Sequence, residues 1–148
     1  MLVELVLFLR STEHKNPVAI LKSFIRTPDN KQHKVTPKEE GRLRQIFKFL
    51  AVAGKKPRLS ASRLFVNQIH FYTMTTSIIA DSLLTEFSSD DLIARLCSFA
   101  DIVDEKAQPS RALAKTVSEY GELSRRQTTH VARRQERQEK FLFVLRAL

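Results

Sequence analysis

The arginine spacing near the end of this sequence is the pattern most directly suited to chemistry. Residues 125–148 hold seven basic and two acidic side chains, a net charge of +5 out of +9 for the chain. Guanidinium groups bind phosphate oxygens in bidentate fashion, and each phosphate contact on duplex DNA adds about 0.9 to the salt dependence of binding. A helix places residues three or four apart on one face. That face would carry Arg126, His130, Arg133, Arg137 and Lys140.

A basic loop in the first half of the chain extends the predicted phosphate-binding surface. Residues 55–63 carry four basic and no acidic side chains. No aromatic residues alternate with the arginines, so we expect contact with the nucleic-acid backbone rather than stacking on bases. The alternative is a solvated helix face with internal pairs such as Glu136 with Lys140. The residues predicted to contact phosphates are Lys55, Lys56, Arg58, Arg63, Arg125, Arg126, Arg133, Arg134, Arg137 and Lys140.

Other reactive side chains do not form a catalytic or metal-binding pattern. The histidines stand at positions 14, 33, 70 and 130, without a second ligand at the spacing of a zinc site. With three glycines in the chain, a phosphate-binding glycine loop cannot be assembled. We therefore predict no enzyme activity, cofactor or metal. An enzyme using His70, Tyr72 and Asp81 is the disfavoured alternative, because His70 fits a hydrogen-bonded, half-buried position between apolar neighbours.

Composition favours a helical protein with a basic surface. The chain has 148 residues, 43% of them hydrophobic, with three Gly and five Pro, which argues against disorder. A length near 150 residues suits one domain with its own core. A sequence pI near 10.1 makes nucleic acid the favoured class of partner.

Cysteine content and hydropathy bear on the compartment. The single cysteine, Cys97, is predicted to be a small buried thiol at helical spacing from Ile93 and Ala100. Residues 2–9 are apolar, but Glu4 interrupts them and no basic segment precedes them, which disfavours a signal peptide. No run approaches the length of a membrane span. We expect a cytoplasmic protein with no membrane contact.

Seven helices are predicted from apolar periodicity and capping residues. The first starts at once, without an N-cap, and its apolar Leu2, Val6 and Phe8 form either a partner-binding face or an ordinary buried helix. Asn16-Pro17 starts the second helix, with buried positions expected at Val18, Leu21, Phe24 and Ile25. Thr36 to Glu39 is a capping box. It precedes a third helix with inward positions expected at Leu43, Ile46, Phe47, Leu50 and Ala51.

The later helices should form most of the core. A long apolar fourth helix over residues 64–87 is the expected central helix, after a cap at Ser60 or Ser62. Ser88 to Asp91 caps the fifth, and the sixth is short and ends at Gly121. The seventh starts near Thr128 or Thr129. Its apolar end should dock on the core, while its middle should face charge or water because no apolar stripe is visible between Ala132 and Lys140.

The order of these patterns resembles the helical C-terminal half of GmrSD-type restriction and phage-defence proteins, whose N-terminal half is a ParB/sulfiredoxin-like nuclease domain. The resemblance covers nearly the whole chain and lies in degenerate hydrophobic patterns rather than fingerprint residues. The segments concerned are residues 2–9 (LVELVLFL), 16–24 (NPVAILKSF), 46–50 (IFKFL), 65–73 (FVNQIHFYT) and the closing Arg133, Arg134 and Arg137.

This resemblance implies a helical scaffold or DNA-engaging lobe of a defence nuclease. The catalytic DGQHR-like and HNH motifs of that family are absent here, so no catalytic residue carries over.

Together these observations predict an all-α, single-domain bundle of about six to seven helices. Residues 1–124 would form the core, and residues 125–148 a long basic C-terminal helix. The expected function is non-catalytic contact with nucleic-acid phosphates, or docking of a nuclease or other partner protein, within a DNA-targeting defence system. The alternative is an interaction subunit whose first helix (Leu2, Val6, Phe8) and seventh helix bind another protein chain. Association with a second copy is also open.

Overall fold

The regular structure of this protein is helical in every part that the computed structural model describes, which is residues 2–11, 13–26, 34–125 and 130–148. The prediction of an all-helical chain is confirmed for these residues. Ten helical segments follow one another within the described ranges: α1 (Leu2–Ser11), α2 (Pro17–Arg26), α3 (Pro37–Ala53), α4 (Pro57–Ser60), α5 (Arg63–Val66), α6 (Gln68–Ala80), α7 (Leu83–Glu86), α8 (Ser89–Val103), α9 (Ala114–Arg125) and α10 (Val131–Ala147).

The long fourth helix expected over residues 64–87 is in fact three segments, α5, α6 and α7. Asn67 interrupts it first, because its side-chain oxygen accepts the backbone N–H of Ile69 at 2.9 Å and starts a new helix. Ser82 interrupts it again, with a left-handed φ of 50°. Continuous apolar periodicity did not reveal these breaks, since the hydrophobic pattern runs across both.

Helix α6 is the central element, as expected. It packs against α1, α3, α5, α7 and α10, and every residue from Tyr72 to Ile79 is buried. Its buried hydroxyls donate to carbonyls of the preceding turn, such as Thr76 to Tyr72 at 3.0 Å and Ser77 to Thr73 at 2.8 Å. This pairing lets polar side chains lie in the core without leaving unsatisfied hydrogen-bonding groups.

Several predicted caps are present. The Thr36 hydroxyl accepts the N–H of Glu39 at 3.3 Å, and the Glu39 carboxylate accepts the N–H of Thr36 at 2.7 Å. Asn16 accepts the N–H of Val18 at 2.9 Å, and Ser88 caps α8. Ser62 precedes α5 but makes no side-chain cap, and α9 continues past Gly121 to Arg125, so the expected end at that glycine was wrong.

The buried faces of two N-terminal helices differ from the predicted ones. On α2, Val18 and Ile25 are 52% and 72% exposed, so their expected burial was wrong. The side chains of Leu21 and Phe24 lie outside the described part of the protein. On α3, Phe47 is 37% exposed and Ala51 is also exposed. The buried positions of α3 are Leu43, Ile46, Phe49, Leu50 and Ala53.

Helix α10 packs against α6, α8 and α9. Its apolar end docks on the core as expected, with Phe141, Val144 and Leu145 fully buried. Phe141 contacts the rings of Phe99 and Tyr120, at centroid distances of 5.0 and 6.2 Å. Cys97 is buried, as predicted. Within the described residues, no helix is both long enough and apolar enough to cross a bilayer.

Candidate functional site

The ten residues predicted to contact phosphates are dispersed over different environments. Arg126 lies outside the described residues, and so do Thr128 and Thr129, the expected start of the last helix. Arg125 and Arg133 are exposed and line a cleft that also holds Glu119, Glu122 and Glu136. The cleft therefore has mixed charge rather than the single sign that would attract a polyanion.

Most of the other arginines in this set are paired with carboxylates. Arg58 pairs with Asp101. Arg63 lies 3.5 Å from Asp104 and 3.2 Å from Glu105.

On α10 the pairing continues. Arg134 lies 3.1 Å from Glu4, over the Tyr72 ring at 4.9 Å from its centroid, and Lys140 lies 2.6 Å from Glu119. These pairs hold helices together, so binding a phosphate would first require breaking them.

Arg137 contradicts the expectation that the middle of the last helix faces water. Its residue is 3% exposed, and its Nε donates to the Thr73 hydroxyl at 2.7 Å while Nη1 donates to the Leu123 carbonyl at 3.4 Å. No carboxylate of the described residues forms an ion pair with it, and burial lowers its pKa. A buried cation held by neutral acceptors joins α10 to α6 and α9 but cannot reach a duplex.

Two buried histidines, His14 and His70, lie close enough to Arg137 for its charge to affect their pKa values. His14 Nε2 is 2.6 Å from the Gln138 amide oxygen and must donate to it, while Nδ1 is 3.4 Å from the Tyr72 hydroxyl. His70 Nδ1 lies 2.7 Å from the Tyr120 hydroxyl, which confirms the predicted hydrogen-bonded position. Burial, with a smaller contribution from nearby arginines that include Arg137, lowers the pKa of each to about 4. Both are therefore neutral at pH 7.

The residues of the disfavoured enzyme hypothesis do not converge. His70 bonds Tyr120, Tyr72 lies against His14 and Arg134, and Asp81 pairs with Arg146. Among the described residues no group of three or more His, Cys, Asp or Glu side chains could hold a metal ion.

The partner-binding face predicted on the first helix is used inside the protein. Phe8 is fully buried and stacks beside His14 at a centroid distance of 4.8 Å, and Val6 is buried as well. The side chain of Leu2 lies outside the described part. The burial of Phe8 and Val6 means that these side chains are not a free docking face, which corrects that prediction.

An exposed apolar feature that the predictions missed lies along α3. A groove of about 670 Å³ runs beside this helix, where it packs against α1. Its apolar lining consists of Val6, Val35, Leu43 and Phe47. Exposed apolar side chains clustered in one place mark binding surfaces more often than those scattered singly.

Cations line the same groove and follow just past the end of α3. Arg44 and Lys48 border the groove, and Lys55 lies in the turn two residues beyond Ala53, the last residue of the helix. Arg44 pairs with Glu40 of the groove at 2.8 Å, both side chains being exposed. Lys48 and Lys55 are exposed and form no ion pair with a described residue. We call this combination of groove and cations the α3 surface.

Two side-chain contacts tie α3 to neighbouring helices. The Arg10 guanidinium of α1 forms an ion pair with Glu39, and Arg42 donates to the Ile79 carbonyl of α6 at 2.8 Å. These contacts join α3 to α1 and α6.

The burial of Arg137 and Gln138 could have been predicted from the sequence. Reading the stripe of Phe141, Val144 and Leu145 backward at helical spacing reaches Arg137 and Gln138, which marks both as inward positions. Comparison with protein-family models, with curated proteins and with solved structures finds no match for this chain.

Proposed function

We propose that this chain is a non-catalytic helical module that docks a partner protein through the α3 surface. The observation that supports this most is Phe47, an aromatic side chain left 37% exposed between two cations on a helix whose other face is fixed in the fold. Aromatic anchors surrounded by polar groups are the usual energetic centre of a protein interface. The absence of catalysis is a prediction from the missing motifs.

The exposed apolar side chains at the groove support the same face. Of the large hydrophobic residues that stand exposed, Val35 and Phe47 line one groove together. The C-terminal helix, in contrast, has most of its charged groups engaged with other helices. Docking therefore fits the α3 surface better than the basic helix on which the sequence prediction relied.

Site-specific photo-crosslinking in the source cells tests this function. A benzoylphenylalanine at position 47 of the full chain should give a discrete protein adduct, and the same group at position 143 should not. Phe143 is the matched control because it is an exposed phenylalanine on α10, 57% accessible. An adduct that forms equally from both positions, or from neither, would contradict docking at the α3 surface.

Nucleic-acid contact is the second candidate, and Lys55 and Lys56 favour it. Both are exposed on the basic loop, and neither is paired with a described residue. Anisotropy of labelled duplex DNA at two salt concentrations tests this candidate, with Lys55→Glu/Lys56→Glu compared against Arg125→Glu/Arg133→Glu. Salt-dependent binding lost in the first variant alone would place phosphate at the loop, whereas no binding at low salt would rule the candidate out. A role in a restriction or phage-defence system stays a prediction from the resemblance.

A further inference from the structure

The occupant of the α3 surface has to satisfy two chemical features together. In the groove the surface is apolar, through Val35, Leu43 and Phe47, and beside the groove it is cationic, through Lys48 and, just past the end of the helix, Lys55. A phosphate backbone would meet the cations but leave the aromatic ring without a partner. An uncharged apolar segment would fill the groove but leave the ammonium groups unmatched.

The dimensions of the surface indicate the form of the occupant. From Arg44 to its end at Ala53, α3 extends over about 14 Å, or two and a half turns. The groove lies between two packed helices, and the described residues include no strand whose edge could accept an extended peptide. A helix laid in a groove, anchored by residues three and four apart, is the recognition mode that fits this geometry.

Charge also discriminates against a second copy of this chain. The protein carries a net charge of +9, and a two-fold contact through the α3 surface would bring together two surfaces that each carry Arg44 and Lys48. Like charges facing each other disfavour such a contact, whereas a partner with carboxylates in those places is attracted.

We infer that the occupant is an acidic amphipathic helix of a partner protein, with its apolar stripe over Phe47 and its carboxylates facing Lys48 and Lys55. This inference rests on the proposed docking function and specifies its partner class. Glu40 is the one carboxylate among the described residues that line the groove. Because it pairs with Arg44 of its own helix, it leaves the two lysines to meet the incoming charges.

The direct test uses designed peptides and the full chain. The probe is a labelled helical peptide of about four turns, with leucines on one face and glutamates beside them. Its twin carries lysine at each glutamate position, and a labelled DNA duplex serves as the third ligand. Fluorescence anisotropy should show binding of the acidic peptide and much weaker binding of the basic one.

Variants at the surface make the outcome specific. Phe47→Ser should lower the affinity for the acidic peptide about 5- to 30-fold. Phe143→Ser is the matched control and should leave this affinity unchanged. Lys48→Glu should lower the affinity for the acidic peptide about 2- to 5-fold, with Arg111→Glu as the control for an exposed cation elsewhere. Lys48→Glu/Lys55→Glu should gain affinity for the basic peptide, a rescue that an unfolded variant could not give.

Each contrary outcome has a distinct meaning. No binding of the acidic peptide, equal binding of both peptides, or loss of DNA binding alone in Lys48→Glu would overturn the acidic helix. Self-association abolished by Phe47→Ser would overturn it in favour of a second copy. If the crosslink at position 47 forms and the acidic peptide does not compete with it, docking stands and only the partner class fails.

Discussion

Helices α3 and α10 have the same length, 17 residues, and both have a basic excess, yet they use it in opposite ways. On α10, Arg134, Lys140 and Arg146 pair with carboxylates of other helices, and Arg137 is buried. On α3, Lys48 is exposed beside an exposed phenylalanine. Basic content alone therefore does not locate a binding surface. What distinguishes Lys48 from those α10 side chains is that no described neighbouring element pairs with it.

The sharpest way to break this comparison is to remove the buried arginine of α10. Arg137→Ala should lower the free energy of unfolding by about 2–4 kcal/mol, because it deletes two hydrogen bonds from a cation and leaves a cavity. Arg133→Ala, an exposed arginine on the same helix, should change it by less than about 0.5 kcal/mol. Urea unfolding measures both. Equal effects would mean that Arg137 is not held in the core.

The buried histidines should make the α10 side of the protein sensitive to acid. Both have a folded pKa of about 4 against an ordinary value of 6.5, so the unfolded chain takes up protons first as the pH falls. Stability is therefore complete above about pH 7 and is lost between about pH 6.5 and 4, by about 2 kcal/mol per histidine at pH 5.

Urea unfolding at several pH values between about 7 and 5 checks this dependence. His70→Gln should remove about half of the slope, because one of the two titrating groups is gone while the fold keeps a polar side chain there. A flat profile for the unaltered protein, or an unchanged slope in the variant, would show that the histidines are not buried as neutral groups.

A smaller loss of stability is expected when the N-cap of α3 is removed. Thr36→Ala removes a side chain that accepts the N–H of Glu39 and should cost about 1 kcal/mol. Ser98→Ala, at an exposed serine inside α8, is the control and should be nearly neutral. Hydrogen exchange should locate the loss in α3 rather than α10. Uniform loss across the chain would argue that α3 is not a separately capped unit.

The smallest stability effect is expected at the residue with the largest proposed role. Phe47→Gln should lower the free energy of unfolding by about 1 kcal/mol or less, since the residue keeps 37% of its surface exposed. Leu50→Ala, one turn away on the buried face, should cost about 2–4 kcal/mol. Thermal or urea unfolding compares them. A large loss at Phe47 would make it a core residue rather than a docking anchor.

Particular residues show which features of the fold could be predicted from the sequence. The capping box at Thr36 and the docking of Phe141, Val144 and Leu145 were predictable, because they depend on neighbours within one or two turns. The burial of Phe47 was predicted wrongly. Residues 43–53 hold more apolar side chains than one helix face can bury, and the pattern does not say which of them is left outside.

The sequence by itself determined the helical class, most caps and the apolar face of each well-separated helix, since these follow from local propensity, periodicity and short-range hydrogen bonds. Only the tertiary structure decided which charges are free. A side chain such as Arg137 or Arg134 becomes a structural element when Thr73 or Glu4, far away in sequence, supplies an acceptor. The α3 surface exists because no described element covers Phe47 and Lys48, and such coverage is a property of packing between distant segments.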